Sequence, residues 1–86
     1  MNYFIYAIRS SKDGRIYVGM TTNVEKRLSQ HNAGKTRSTK PFLPWQLFYY
    51  EEVPTRESAR SREKYLKGGS GKEYLKSKVP FEKGVS

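Results

Sequence analysis

The chain has 86 residues, enough for one small domain with a thin core. Its 35% hydrophobic, 14% aromatic and 29% charged residues exclude a disordered tail and a membrane-spanning protein. A formal net charge of +9 favours a polyanionic partner, above all nucleic acid, over a membrane surface, with a solvated basic surface as the alternative. The absence of cysteine excludes disulfides and thiolate metal sites. Because the first basic residue also follows the apolar N-terminal stretch, which is not the order of a signal peptide, we expect a cytoplasmic protein.

A β-hairpin is predicted at the start of the chain. Residues 3–9 and 15–20 are rich in aromatic and β-branched side chains, and they flank an Asp13-Gly14 turn. The only aspartate of the chain is therefore expected to serve turn geometry, which leaves catalysis to other residue types. Gly19, near the end of the second strand, predicts a close backbone approach or a bulge.

A capping box predicts the first helix. Thr22 and Glu25 stand three residues apart, so each side chain can accept a hydrogen bond from a free backbone N–H at the helix start. Gly34 is expected to end this helix. The loop 35–44 is basic, and its cations are candidate contacts for a nucleic-acid backbone, with a solvated loop as the alternative. These cations are Lys35, Arg37 and Lys40.

The second half of the chain predicts one strand and two helices. Residues 45–53 return to strand character. Their aromatic side chains are assigned mainly to the core, with stacking of an exposed ring on an unpaired base as the alternative. These residues are Trp45, Phe48, Tyr49 and Tyr50. Thr55 is expected to cap a second helix that ends at the Gly68-Gly69 pair.

The third helix is predicted from a second capping box. Ser70 and Glu73 have the required spacing, and the helix should carry Val79 and stop at Pro80. The chain contains no internal repeat and no linker that would divide it. We therefore expect a single domain over residues 1–79 and a loose tail over residues 80–86.

Glu63 breaks the pattern of the second helix. It lies between Ala59 and Leu66 on the apolar stripe, where a carboxylate is costly unless it is paired or coordinated. A salt bridge to a neighbouring cation and a role in a functional site explain the residue equally well.

The ordered set of tyrosines and charged residues resembles the GIY-YIG nuclease family. Phe4-Ile5-Tyr6 stands where the first family motif ends in its tyrosine, and Tyr17-Val18-Gly19 matches the second motif. Arg27 follows Tyr17 by ten residues and His31 follows Arg27 by four, as in the helix of the family. The resemblance continues to Glu63, which lies four residues after an alanine, like the family's metal-binding glutamate.

The resemblance implies an α+β fold, with a small three-stranded antiparallel sheet flanked by helices. It also implies a metal-dependent endonuclease that hydrolyses DNA phosphodiester bonds in DNA repair or processing, with one Mg²⁺ or Mn²⁺ held by Glu63. Either tyrosine would serve as the base if neighbouring groups lower its pKa. Arg27 would bind phosphate and His31 would move a proton or orient a tyrosine. The implied catalytic residues are Tyr6, Tyr17, Arg27, His31 and Glu63.

Two departures from the family keep other functions open. Met20 stands where excision-repair members carry a lysine, and no asparagine follows Asn32. A non-catalytic nucleic-acid-binding module that retains the fold is therefore the main alternative, and a domain that binds an acidic protein is the third. Paired strand tyrosines, an inward histidine and a helical arginine also have purely structural explanations in an arbitrary protein.

Overall fold

The computed structural model describes residues 2–79, and it confirms the predicted α+β architecture. The elements in chain order are β1 (Tyr3–Ser10), β2 (Ile16–Thr21), α1 (Val24–Asn32), a 3-10 turn (Lys40–Phe42), β3 (Trp45–Val53), α2 (Arg56–Lys67) and α3 (Gly69–Lys76). The tail predicted over residues 80–86, including Pro80, lies outside the described residues. No helix within residues 2–79 combines the length and apolar character needed to cross a membrane.

The three strands form one antiparallel sheet in the order β2-β1-β3. The central strand β1 is covered on both faces, which explains why four consecutive residues from Ile5 to Ile8 are buried. The pairing of β1 with β3 shifts register between Ala7 and Ile8, so that Phe48 has no partner across the ladder. This irregularity is a β-bulge: β3 has one extra residue at this point, so its pairing with β1 is shifted by one residue beyond it.

The two faces of the sheet build two separate cores. One face packs against α2 and α3, and its buried residues are Ile5, Ala7, Val18, Ala59, Leu66 and Leu75. We call this the apolar face. The other face packs against α1 and the loop that follows it, and its buried residues include Tyr6, Ile8 and Trp45. We call this the tyrosine face.

The helix α1 begins one residue later than predicted. Asn23, and not Thr22, is its N-cap, and the Asn23 side chain accepts a hydrogen bond from the Lys26 backbone N–H. The capping box at Thr22 is therefore wrong: β2 continues to Thr21, and Asn23 is an equally favourable capping residue. The helix ends as predicted near Gly34, whose positive φ of 77° allows the chain to turn away.

The start of α3 was also predicted wrongly, whereas the limits of α2 were confirmed. Thr55 caps α2 through the Ser58 N–H and Gly68 follows its last residue. Gly68 then caps α3 directly, without a side-chain hydrogen bond, so that Ser70 lies inside the helix instead of capping it. The reason is tertiary: Gly71 lies so close to the end of α2 that a Cβ there would overlap the Tyr65 carbonyl oxygen. The helix stops at Lys76, which leaves Val79 outside it.

The aromatic residues of β3 divide between core and surface. Trp45 is buried, and Phe48 and Tyr49 pack at the margin of the apolar face. Tyr50 is 58% exposed, so its assignment to the core was wrong. It lies on an edge strand, and its ring centroid is 6.2 Å from that of Phe4.

Candidate active site

Two tyrosines from neighbouring strands meet on the tyrosine face. Tyr6 of β1 and Tyr17 of β2 have ring centroids 6.4 Å apart. The Tyr6 ring crosses over Gly19, its partner in the β1–β2 ladder. A Cβ at Gly19 would stand 2.5 Å from the Tyr6 oxygen, so the predicted close approach at this glycine is confirmed. The glycine provides the space in which the Tyr6 hydroxyl lies.

His31, in the last turn of α1, lies against both tyrosines. Its side chain is fully buried, and its Nε2 is 2.8 Å from the Tyr6 hydroxyl oxygen. The Tyr17 ring meets the imidazole edge to face at a centroid distance of 5.1 Å. The other ring nitrogen, Nδ1, is 2.8 Å from the hydroxyl oxygen of Thr39. The imidazole is thus held by a hydrogen bond on each nitrogen and by an aromatic ring on one side.

Burial shifts the pKa values of this pair in opposite directions. Desolvation lowers the pKa of His31 to about 4, and the charge of Arg27 contributes in the same direction. Desolvation likewise raises the pKa of Tyr6 to about 12, although a hydrogen bond from Arg27 opposes the shift. Tyr6 therefore does not meet the condition of a lowered pKa that a tyrosine base would need. At neutral pH the site holds a neutral imidazole beside a neutral phenol.

Arg27 lies one helical turn before His31 and faces the same cluster. The arginine is half-buried, donates from Nη1 to the Gln30 Oε1 at 3.0 Å, and lies close enough to Tyr6 to oppose the rise of its pKa. A guanidinium presents five N–H groups and accepts none, so it retains donors for a phosphate after making the bond to Gln30. The helical spacing predicted for Arg27 and His31 therefore places a cation and an imidazole around one hydroxyl.

Glu63 approaches the tyrosine cluster from α2. Its side chain is 23% exposed, at the margin of the packed face and not within it, and its charge contributes to the raised pKa of Tyr6. The carboxylate also forms an ion pair with Lys67 at 3.3 Å, so the salt bridge considered from the sequence is present. Because Lys67 is 54% exposed, this pair stabilises the fold by about 1 kcal/mol at most and leaves the carboxylate accessible.

Glu63 offers a single carboxylate to a hard divalent cation. Within residues 2–79 no group of three or more histidine, aspartate or glutamate side chains could enclose a metal ion. A single carboxylate is nevertheless a sufficient protein contribution for Mg²⁺, which keeps several waters and is completed by substrate phosphate oxygens. Glu63 therefore fits the metal-binding role that the resemblance implies.

The three loop cations lie apart from this cluster, on the surface. Lys35, Arg37 and Lys40 are all exposed in the segment between α1 and β3. The segment itself is anchored to β1, because the Ser10 hydroxyl donates to the Phe42 carbonyl at 2.7 Å. The loop thus presents its charges at the surface from a fixed position.

Two features of the site region were missed by the sequence analysis. One is Thr39, which touches His31 but carries no local signal of burial, since it lies in a polar basic loop. The other is an exposed basic stripe along α2, formed by Arg56, Arg60, Lys64 and Lys67. The spacing of four, four and three residues could have revealed that these cations share one helical face.

Comparison with known proteins places the cluster in a defined family. The family model of the GIY-YIG catalytic domain matches residues 2–76. A UPF0213 protein of Staphylococcus haemolyticus is 39% identical over 75 residues, which cover 86% of this chain and 90% of that protein. A UPF0213 protein of Bacillus licheniformis is 40% identical over 67 residues, which cover 77% and 69% of the two chains.

A solved structure shares the fold as well as the sequence. The solution NMR structure of a UPF0213 protein from Bacillus halodurans is similar with a TM-score of 0.58 and 32% sequence identity. The match covers 93% of this chain and 89% of that protein. The cluster of tyrosines, arginine and histidine therefore lies in a domain with solved and curated relatives.

Proposed function

This chain belongs to the GIY-YIG family, and on that premise we propose that it is a divalent-metal-dependent endonuclease acting on DNA. The family's domains are typically nucleases. The observation that carries the proposal is the buried 2.8 Å hydrogen bond between Tyr6 and His31, beside which the charge of Arg27 lies. Hydrolysis of a phosphodiester needs a route for the proton of water and a cation for the phosphate, and this cluster offers both.

Tyr6 and His31 form the route for the proton. The raised pKa of Tyr6 makes a free phenolate scarce at neutral pH, so Tyr6 acts together with its partner. As the water oxygen forms its bond to phosphorus, the water proton moves to the Tyr6 oxygen and the phenolic proton moves to His31 Nε2. The P–O bond to the leaving oxygen breaks, and solvent protonates that oxygen. The negative charge of the bound phosphate favours the protonated His31 that results.

Arg27 and Glu63 supply the charged groups for binding the phosphate and the metal ion. Arg27 has donors left for two parallel hydrogen bonds to phosphate oxygens, a geometry that lysine cannot copy. Glu63 would hold Mg²⁺ or Mn²⁺, and such an ion neutralises charge that develops on the phosphate oxygens. Tyr17 packs against His31 and keeps water from that side of the imidazole.

The decisive experiment compares two carboxylates of the same helix. Glu63→Gln keeps the shape of the side chain and removes its charge, and Glu57→Gln does the same at an exposed position in the first turn of α2. We expect Glu63→Gln to abolish Mn²⁺-dependent cleavage of single-stranded, duplex and branched DNA. Glu57→Gln should cut like the wild type.

Thermal melts with and without millimolar Mn²⁺ complete this test. Mn²⁺ should raise the melting temperature of the wild type and of Glu57→Gln but not that of Glu63→Gln, because only a bound ion stabilises the folded state. Equal cleavage by both variants would contradict the assignment of Glu63. A wild type that binds DNA and cuts none of the three substrates would identify the chain as a binding module.

The exposed loop cations are proposed to contact the DNA backbone. Log affinity should fall with log salt at a slope of about −0.9 per phosphate contact on duplex DNA. Replacing Lys35, Arg37 and Lys40 together with Ala should flatten the slope by roughly two to three. The matched control replaces three cations of the α2 stripe, namely Arg56, Arg60 and Lys64. A slope that responds to the control triple and not to the loop triple would move the binding surface to α2.

A further inference from the structure

Thr39 is a fully buried hydroxyl group that touches His31 from the side opposite to Tyr6. Its Oγ1 is 2.8 Å from His31 Nδ1, and neither residue is exposed to solvent. The residue is also fixed through its main chain, because the indole N–H of Trp45 donates to the Thr39 carbonyl at 2.9 Å. Because Thr39 is held in place, its hydroxyl can determine which group donates and which accepts in its hydrogen bond with the imidazole.

The direction of that bond follows from the partners of Thr39. A neutral imidazole carries one N–H and one lone pair, and burial keeps His31 neutral at physiological pH. The Thr39 hydroxyl has a second acceptor for its hydrogen, the Thr36 carbonyl oxygen at 3.3 Å. With its hydrogen directed to Thr36, the hydroxyl accepts from His31, which places the imidazole hydrogen on Nδ1 and leaves the lone pair on Nε2.

Tyr6, at the other end of this series of hydrogen bonds, independently gives the same direction of donation. Tyr6 is 2% exposed, and a buried O–H group without an acceptor is costly. The phenolic hydrogen then needs an acceptor, and His31 Nε2 lies at 2.8 Å. If Nε2 carried the hydrogen, the phenolic O–H would lose this acceptor. Both ends agree that hydrogen is donated from Tyr6 to His31 and from His31 to Thr39.

We propose that Thr39 is a positioning residue that holds His31 in the Nδ1–H tautomer, so that Nε2 is free to take the proton of Tyr6. The consequence for cleavage rests on the proposed function, because it concerns the proton route described there. The tautomer itself does not, since it is a property of the folded protein without substrate. A threonine that merely satisfied a buried polar group would leave the choice of tautomer to Tyr6 alone.

The single histidine of the chain makes the tautomer directly measurable. In ¹H–¹⁵N NMR spectra of the ¹⁵N-labelled protein above pH 7, the two ring nitrogens of His31 report which one carries hydrogen. We expect a protonated Nδ1 in the wild type and in Thr39→Ser, which keeps the hydroxyl. Thr39→Val has nearly the same shape without the hydroxyl, and its spectrum should shift toward the Nε2–H tautomer.

Cleavage kinetics test whether this tautomer matters for the reaction. Thr39→Val should lower kcat roughly ten- to hundredfold, as loss of an orienting partner commonly does, with little change in KM for DNA. Thr39→Ser should restore most of the loss. A fall in apparent kcat that matches the loss of folded protein would instead indicate a structural role and overturn the proposal.

The outcomes separate this proposal from the proposed function. An Nε2–H tautomer in the wild type overturns the role of Thr39, and this spectrum is decisive even if Thr39→Val fails to fold. A Thr39→Val spectrum identical to the wild type also overturns it. A wild type with the Nδ1–H tautomer that cuts no DNA would support Thr39 as the residue that sets the tautomer, while the endonuclease assignment fails.

Discussion

The two faces of the sheet differ in chemistry although they share one central strand. The apolar face buries only aliphatic side chains and alanines, contributed by β1, β2, α2 and α3. The tyrosine face buries Tyr6 and Trp45, and the polar residues Ser10, His31 and Thr39 lie within the same layer. Successive residues of β1 point to opposite faces, so Ile5 and Ala7 serve one core while Tyr6 and Ile8 serve the other.

The comparison shows that the two sides of the sheet make different demands on the side chains that they bury. The stability gained from the apolar face depends on buried area and on close packing, so loss of side-chain volume is costly there. Apolar contacts do not, however, require the side chains to be oriented as hydrogen-bonding groups must be. The buried polar groups of the tyrosine face must instead be paired, and none of the described buried side-chain nitrogens and oxygens lacks a hydrogen-bond partner. Changes on the first face should therefore alter mainly the free energy of unfolding, whereas changes on the second should alter both stability and activity.

The largest effect on stability is expected from Leu75→Ala. Leu75 is fully buried on α3, which carries none of the candidate catalytic residues. Removing its side chain should destabilise the protein by about 2–5 kcal/mol, the range for a buried leucine. Urea unfolding measures the loss, and cleavage per folded molecule should stay at the wild-type level. A large fall in specific activity at full folding would show that the two faces are coupled.

Acid should destabilise the protein through His31. The unfolded chain has a histidine pKa of 6.5 against about 4 in the fold, so the unfolded state binds more protons between these pH values. Stability that is fully present above about pH 7 is therefore lost as the pH falls toward 4, by about 3 kcal/mol from this group. Urea unfolding at several pH values measures the slope, and His31→Gln provides the control without the titrating group. Equal slopes for the two proteins would contradict the burial of a neutral histidine.

The smallest of these changes adds one methyl group at Gly19, and it should lower the rate of cleavage. In Gly19→Ala the new methyl would displace the Tyr6 ring, whose hydroxyl is held by His31. A shift near 1 Å costs roughly a hundredfold in rate, or about 2.7 kcal/mol of the barrier. Gly69→Ala is the matched control, because no atom lies within 4 Å of a Cβ at that position. Cleavage rates of the two variants measured side by side test this, and equal rates would show that the Tyr6 position does not matter.

Local patterns were sufficient for most of the fold. The three strands, the cap at Thr55 and the turn at Gly34 depend on hydrogen bonds and backbone angles within a few residues. The same patterns failed where two local solutions were equally good, as at Thr22 and Asn23. They failed again at Ser70, where packing of Gly71 against the end of α2 overrode a favourable cap.

The candidate site divides in the same way. Spacing along the chain and resemblance to a family were enough to select Tyr6, Tyr17, Arg27, His31 and Glu63 from the sequence. The chemistry among them was decided by the tertiary structure, because burial depends on which distant segments meet. The pKa of Tyr6 rises instead of falling, since the sheet and α1 together remove the phenol from water. Thr39 comes to His31 only because the loop after α1 folds back under Trp45, a contact that no sequence period encodes.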